Sequence, residues 1–313
     1  MSWKNYEARR KAPNTVKAGS GFKDPNYDLS VEWLEARNKL RALEEQHATA
    51  KTRILVINGS SRNEHTCPSE VSKTYRLCER AMETLKSHGD FEIDSLDLSL
   101  ITAQYGKNIL PCKACVSTAM PLCHWPCSCY PNHSLNQVHD WMNEIYPKWV
   151  AAHGILIITP VHWYQAPSGL KLMMDRLVCA DGGNPDPTST HGKKAAEAKD
   201  IELKGWDYPK HLKNRAFAIY VHGDTGGTES LRRNLTDWLN DMSLIPADSE
   251  GFKDRYIGYM KPYATSHDDL DEDQDIFKEI DNTAIALATK ISQIRNHPEL
   301  LIDRESLQDP RPK

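Results

Sequence analysis

The sequence predicts an α/β fold, a doubly wound five-stranded parallel sheet, and three observations carry that reading. The runs Arg53-Ile54-Leu55-Val56-Ile57-Asn58, Gly154-Ile155-Leu156-Ile157-Ile158 and Ala216-Phe217-Ala218-Ile219-Tyr220-Val221 are short and nearly all apolar, as strands buried on both faces are. Segments of helical spacing separate them, so strand and helix alternate. A polar turn, Gly59-Ser60-Ser61-Arg62, follows the first run directly, beyond the carboxyl end of a strand where open α/β sheets bind their ligands.

In chain order, strands are expected at 53–58, 91–97, 154–159, 214–221 and near 255–260, and helices at 69–88, 134–151, 168–178, 227–243 and 274–295. Residues 1–50 stand outside this alternation as an N-terminal helical arm. The arm is polar up to Asp28, then has helical spacing from Val31 to Glu45, with Val31, Leu34, Leu40 and Leu43 as its apolar contacts. It packs on its own domain or reaches a neighbouring subunit. The main domain then spans 51–296 and a tail spans 297–313. Two long loop insertions, 103–133 and 180–213, exceed a bare connection, and such segments are usually functional or interfacial. The acidic run Asp268–Asp275 reads as a solvated face, with Asp271, Glu272 and Asp273 suited to a helix N-terminus.

A chain of 313 residues is ample for a sizeable core. A net charge of −4 and a pI near 6.4 give no electrostatic footprint for nucleic acid. No apolar run approaches the ~20 residues of a membrane span, and Met1–Tyr6 is polar, so no membrane partner and a cytoplasmic location are expected.

Three loops should converge at the strand ends: Gly59–Arg62, Thr159-Pro160-Val161-His162-Trp163-Tyr164-Gln165-Ala166-Pro167 and His222-Gly223-Asp224-Thr225-Gly226-Gly227. The first offers hydroxyls, backbone N–H groups and a guanidinium to a phosphate, without a Walker lysine. Lacking the three-glycine dinucleotide spacing, it suits a mononucleotide. The glycine-rich third loop lets backbone N–H groups approach a ligand closely, and the second loop is aromatic. Together they fit a flat, phosphorylated heterocycle, for which flavin mononucleotide (FMN) is the obvious candidate.

The segments Ile57–Arg62, Pro111-Cys112-Lys113-Ala114-Cys115, Thr159–Tyr164 and Leu170-Lys171-Leu172-Met173-Met174-Asp175-Arg176 resemble the superfamily of NADPH-dependent FMN reductases and iron-sulfur flavoproteins. The likeness covers about 52–260 in order. It implies a flavodoxin-like strand order, 2-1-3-4-5, bound FMN, electrons from NAD(P)H, a small-molecule electron acceptor such as a quinone or free flavin, and a homodimer or homotetramer. By the same resemblance Ser60, Arg62 and Ser69, or Thr66 in its place, meet the FMN phosphate. Pro160, Val161, His162, Trp163 and Tyr164 border the ring system, and Gly223, Asp224 and Gly227 its pyrimidine side. His162, Trp163 and Tyr164 shape the acceptor pocket and are the candidate catalytic residues. The superfamily's loop reads Pro-Val-Tyr where this chain has Pro160-Val161-His162, placing a titratable ring beside the flavin.

Of eight cysteines, Cys112, Cys115, Cys123, Cys127 and Cys129 crowd into eighteen residues, spaced C-x2-C-x7-C-x3-C-x-C. Thr118 stands where the third cysteine of an iron-sulfur flavoprotein is expected. Three readings stay open: a [4Fe–4S] cluster that passes electrons to a protein partner, a zinc site or disulfide-prone loop with His124 and His133 as further ligands, and an ordered loop without metal. Trp125 and Tyr130, with Pro121, Pro126 and Pro131, would stiffen this loop and cover the flavin from a neighbouring subunit. Cys78 and Cys179 read as buried small apolar residues. Lys193, Lys194 and Lys199 read as a solvated charged helix or as an attraction for a phosphate-bearing cofactor.

Overall fold

The first apolar run is the centre of the sheet. In the computed structural model, which describes residues 14–63, 70–130 and 139–298, β1 (Arg53–Asn58) lies between β2 (Glu92–Asp97) and β3 (Gly154–Pro160). β4 (Ala216–Gly223) pairs with β3, and its outer edge takes both β5 (Ile245–Pro246) and β6 (Phe252–Tyr256), every pairing parallel. The order 2-1-3-4 thus continues as expected, with the two-residue β5 making a sixth strand.

The last strand sits at 252–256, not near 255–260. Phe252-Lys253-Asp254-Arg255-Tyr256 is a half-buried edge strand whose charged residues hide it from an apolar-run criterion. The following Ile257–Met260 is a turn with Tyr259 at φ 57° and Met260 at φ 54°.

Among the described residues, four helices share the sheet's compact unit: α1 (Lys73–His88), α2 (Thr228–Asp241), α3 (Ser266–Glu272) and α4 (Gln274–Asn296). This unit comprises the described residues of Ala50–Asp97, Ala152–Pro167 and Leu212–Lys313. α1 starts at 73, because the Ser72 side chain accepts the Tyr75 N–H at 3.1 Å and caps it there. α4 starts at its Asp273 cap, which accepts the Ile276 N–H, as the acidic run suggested. α4 packs on α1, and both cover one face of the sheet through Leu77, Ala81, Leu85, Ile280, Ala284, Leu287 and Ile291 on Ile54, Val56, Leu156, Ile158, Ala218 and Tyr220. The alternate residues Leu55, Ile57, Ile155, Ile157, Phe217 and Ile219 are buried as well. Each such aliphatic side chain stabilises the fold by about 1.5–3 kcal/mol.

A second compact unit comprises the described residues of Met1–Thr49, Leu98–Ala151 and Ser168–His211. It holds a short antiparallel ribbon (Thr15–Lys17 with Asp28–Ser30) and helices Val31–Gln46, Leu98–Ala103, Met142–Ala151, Ser168–Arg176 and Ala195–Leu203. The helix expected at 134–151 is found from Met142, where the Asp140 carboxylate accepts the Met142 N–H at 3.1 Å; 134–138 lie outside the described residues. The helix expected to run to 178 gives way at Leu177 to a 3-10 turn ending at Ala180. Helix Val31–Gln46 packs against helix Met142–Ala151. Its deepest side chains are Trp33 and Leu40, and the Trp33 indole N–H donates to Pro126 O at 2.8 Å. Of the four apolar contacts expected on it, Val31, Leu34 and Leu43 are only half-buried.

Candidate functional site

At the end of β1 the sequence builds a turn out of its own polar side chains. Asn58 Oδ1 accepts the Ser60 N–H, and Ser60 Oγ accepts the Arg62 N–H, each at 3.0 Å. Asn58 and Ser60 are buried, and Gly59 N–H donates to Ile158 O on β3. Two nitrogens here, Asn58 Nδ2 and Arg62 Nε, are buried with no acceptor. The Arg62 guanidinium reaches Glu70 Oε2 at 3.0 Å, and the opposite oxygen of Glu70 lies 3.3 Å from His267 Nδ1. Thr66 and Ser69 lie outside the described residues.

The loops after β3 and β4 do meet. Val161 N–H donates to His222 O, and Val161 Cγ1 fills the space a Cβ on Gly223 would need, 2.4 Å away. His162 and Gln165 exchange both backbone hydrogen bonds, which closes a tight turn with Trp163 at φ 43° and Tyr164 at φ 66°. Two aromatic residues in the left-handed region carry strain that glycine would not. The turn leaves the Trp163 ring 91% exposed. Tyr164 lies against Gly226 and Gly227.

Gly227 has φ 103°, and a Cβ there would stand 2.9 Å from Tyr164 Cα. Gly227→Ala is expected to cost about 1–3 kcal/mol, because both backbone strain and overpacking oppose it. Gly226→Ala would meet only the Tyr164 ring at 3.3 Å and should cost less. Urea unfolding of the two variants against the parent checks this ordering.

The structure adds Lys73, which local sequence did not mark, and places His222, expected in the third loop, within β4. Lys73, at the start of α1, donates to Ile257 O at 2.9 Å; burial lowers its pKa, partly offset by Asp224, Asp269 and Glu70. His222 is buried on β4, its Nε2 2.9 Å from Thr74 Oγ1, and burial, with Lys73 and His162 nearby, pushes its pKa down to about 3. Partial burial also lowers His162, against an opposing pull from Asp224, so both imidazoles are neutral at neutral pH. These contacts join residues up to 184 apart in the chain, which no local pattern reveals.

The His222 shift has a consequence for acid stability. The unfolded chain takes up a proton on this imidazole below about pH 6.5, whereas the folded chain resists until about 3. Stability is therefore lost as pH falls through that window, by at most about 1.4 kcal/mol per pH unit from this group. Urea midpoints at pH 7 and pH 5 should fall further apart in the parent than in His222→Gln.

In the second unit, the cysteines gather about a lysine. Cys115 Sγ and Cys129 Sγ are 3.2 Å apart, and Lys193 Nζ donates to Cys115 Sγ at 3.6 Å and to Leu122 O. Burial opposes the Lys193 charge, but Cys129, Cys115, Cys127 and Cys123 outweigh it and raise its pKa. The hydrogen bond with Cys129, with help from Lys193 and against burial, lowers Cys115 to about 7. Burial raises Cys123 well above its usual value. Cys112 Sγ instead accepts the Ala114 N–H.

Several expectations change here. Lys193 turns inward to the thiols, whereas Lys194 and Lys199 are exposed on or beside the charged helix Ala195–Leu203. His124 is buried with both ring nitrogens facing the hydroxyls of Ser128 and Thr190, and His133 lies outside the described residues. Trp125 and Tyr130 are buried within this unit, so neither is presented to a neighbouring subunit: Trp125 stacks on His211, and the Tyr130 hydroxyl donates to Pro111 O. Among the described residues no group of three or more His, Cys, Asp or Glu side chains is arranged to hold a metal ion. An ammonium stands among the sulfurs of Cys115, Cys123, Cys127 and Cys129 and donates to Cys115 Sγ.

The parallel sheet and the ligand-facing turns at its carboxyl edge define a flavodoxin-like α/β flavoprotein class. The chain belongs to the NADPH-dependent FMN reductase family, whose model matches residues 52–252, and it is a flavin oxidoreductase. It is 31% identical over 195 residues to an iron-sulfur flavoprotein of Methanosarcina thermophila, covering 62% of this chain and 75% of that one. The fold is similar to that of RosB in complex with the intermediate OHC-RP (8-demethyl-8-formylriboflavin-5'-phosphate). The TM-score is 0.54 and the identity 14%, over 84% of this chain and 90% of that one. An FMN-dependent NADH-azoreductase from Bacillus anthracis aligns with a TM-score of 0.45 and 16% identity, over 76% and 100%. Among the described residues no helix is long and apolar enough to cross a membrane.

Proposed function

We propose that this protein takes reducing equivalents from NAD(P)H onto bound FMN and passes them to a small acceptor, a quinone, a free flavin or another small electron acceptor, working as a homodimer or homotetramer. The observation that carries this reading is the pair of buried donors without acceptors, Asn58 Nδ2 and Arg62 Nε, at the β1 turn of a family member. Buried donors are nearly always satisfied, and a phosphate or ring carbonyl supplies the missing acceptor. The residues present therefore fit FMN.

FMN, when bound, supplies hydride acceptance from the nicotinamide and onward electron delivery. Ser60 and Arg62 hold its phosphate, with Thr66 or Ser69 adding a hydroxyl. Pro160, Val161, His162, Trp163 and Tyr164 border the ring system, and the backbone of Gly223, Asp224 and Gly227 meets its polar edge. His162, uncharged at neutral pH, offers the acceptor a ring N–H, while the exposed rings of Trp163 and Tyr164 give a planar acceptor a face to lie against.

An anaerobic absorption spectrum before and after NADPH, and separately NADH, tests this reading, with iron and zinc measured on the same sample. Flavin bands that bleach support it; absence of flavin, or flavin that no nicotinamide reduces, overturns it. A second reading, an electron-transfer protein with a [4Fe–4S] cluster and a protein partner, draws on the named relative and the five cysteines. Roughly four irons per chain would favour it.

A further inference from the structure

Glu70, between the β1 turn and α1, is held at both carboxylate oxygens. Arg62 Nη2 lies 3.0 Å from Oε2, and His267 Nδ1 lies 3.3 Å from Oε1. His267 belongs to α3, beyond the residues 52–252 that the family model matches. We propose that His267 is a positioning residue of the phosphate site, which takes over the Glu70 carboxylate, and a proton with it, when Arg62 turns to the phosphate of FMN. This rests on the reading of the β1 turn as the phosphate site.

The geometry supports the hand-over at both ends. The Arg62 guanidinium is only half used: Nη2 donates to Glu70, while Nε is buried with no acceptor. A phosphate that takes the guanidinium fork competes directly with the Glu70 contact. His267 stands on the other oxygen, its side chain 13% exposed and its Nε2 buried with no partner. A neutral ring that gives its one N–H to Glu70 from Nδ1 leaves Nε2 as a bare lone pair, an arrangement that buried polar groups avoid. A protonated ring instead pairs with the carboxylate as an ion, and its second N–H stands near a turn to which the phosphate brings acceptor oxygens.

The surrounding charges set the direction of the proton. Arg62 faces the ring from the β1 turn, Glu70 from the segment before α1, and Lys73 and Arg76 from α1 itself. On its own helix, Asp269 pairs with Lys261, Asp271 pairs with Arg76, and Asp268 is exposed. Burial lowers the His267 pKa, Lys73, Arg76 and Arg62 add to that, and Glu70 opposes it, so the ring is neutral at neutral pH before the phosphate arrives. Binding adds about two negative charges at the turn and frees Glu70 from Arg62. Both changes favour the imidazolium, so the proton moves from solvent to the ring.

Calorimetric titration of the full-length protein, freed of its flavin, with FMN in HEPES and in Tris reads this proton. At about pH 7.5 the FMN phosphate is already a dianion and exchanges no proton of its own. The parent should take up part of a proton per FMN, seen as a more endothermic heat in Tris, the buffer with the larger ionisation enthalpy. By the same linkage its affinity should fall about two- to threefold from pH 7 to pH 8. In His267→Gln, which keeps an amide donor for Glu70 but cannot be charged, both the uptake and the pH dependence should vanish. In Glu70→Gln the uptake should largely vanish as well, because no carboxylate is handed over. In the proton NMR spectrum of the parent, one imidazole titration should move to higher pH on adding FMN, a readout that needs no variant. FMN binding without proton uptake, or with equal uptake in either variant, would overturn the hand-over and leave the flavin site standing. Absence of FMN binding would overturn both.

Discussion

Arg176→Met is expected to destabilise the protein by about 3–5 kcal/mol, because it strands a buried carboxylate. Arg176 is 2% exposed, its Nη2 lies 2.6 Å from Asp140 Oδ2, and its Nη1 donates to Leu110 O at 2.7 Å. The guanidinium also lies over the Tyr130 ring at 5.0 Å. Burial works against its charge, and Tyr146, Cys127 and Asp140 outweigh that and hold its pKa above the usual arginine value. Taking two such charges out of water is costly, so the pair contributes little beyond break-even, whereas one charge left alone loses the compensation and keeps the penalty. The double variant Asp140→Leu with Arg176→Met should therefore recover part of the loss. Recovery is incomplete because Asp140 also accepts the Met142 N–H that starts the following helix. Urea unfolding of both single variants and the double variant checks the coupling. Since Leu110 lies just before Cys112, the single variant should also expose the cysteine loop to alkylation faster than the parent.

Arg176 shows where sequence reading reaches and where it stops. It was visible as the end of the Leu170–Arg176 motif, but its task was not: its partner Asp140 lies in another segment, and nothing local marks it as buried. The central strands were legible because two-faced burial forces uninterrupted apolar runs such as Ile54–Ile57 and Ile155–Ile158. The edge strand Phe252–Tyr256 was displaced by three residues because an edge tolerates Lys253, Asp254 and Arg255. Residues 193 and 194 are two adjacent lysines, and only tertiary structure turns the first toward sulfur and leaves the second in water. The converging loops were legible because strand ends must share one edge of a parallel sheet. Lys73 was not, since a helix start carries no sign of the loop it faces, and His222, expected in the loop after strand four, lies within that strand.

Arg62→Ala is expected to weaken FMN binding by about 10–100-fold, the loss of one charge-assisted bond to a phosphate at about 1.5–3 kcal/mol. Equilibrium quenching of flavin fluorescence by the apoprotein measures it, and an unchanged affinity would remove the β1 turn from the phosphate site. Arg62→Lys should recover less than half of the lost binding free energy, since an ammonium cannot reproduce the fixed fork of the guanidinium. The contact between Arg62 and Glu70 makes the opposite effect available as well. That carboxylate, at 3.0 Å, competes with a phosphate for the same guanidinium, and its side chain is 45% exposed. An exposed pair of this kind is worth at most about 1 kcal/mol. Glu70→Gln should therefore tighten FMN binding by up to about fivefold, and in the Arg62→Ala background the same change should do little. A gain that depends on Arg62 would mean that the guanidinium exchanges a carboxylate for a phosphate on binding. A gain of equal size in both backgrounds would assign the effect to the general negative charge of Glu70 instead.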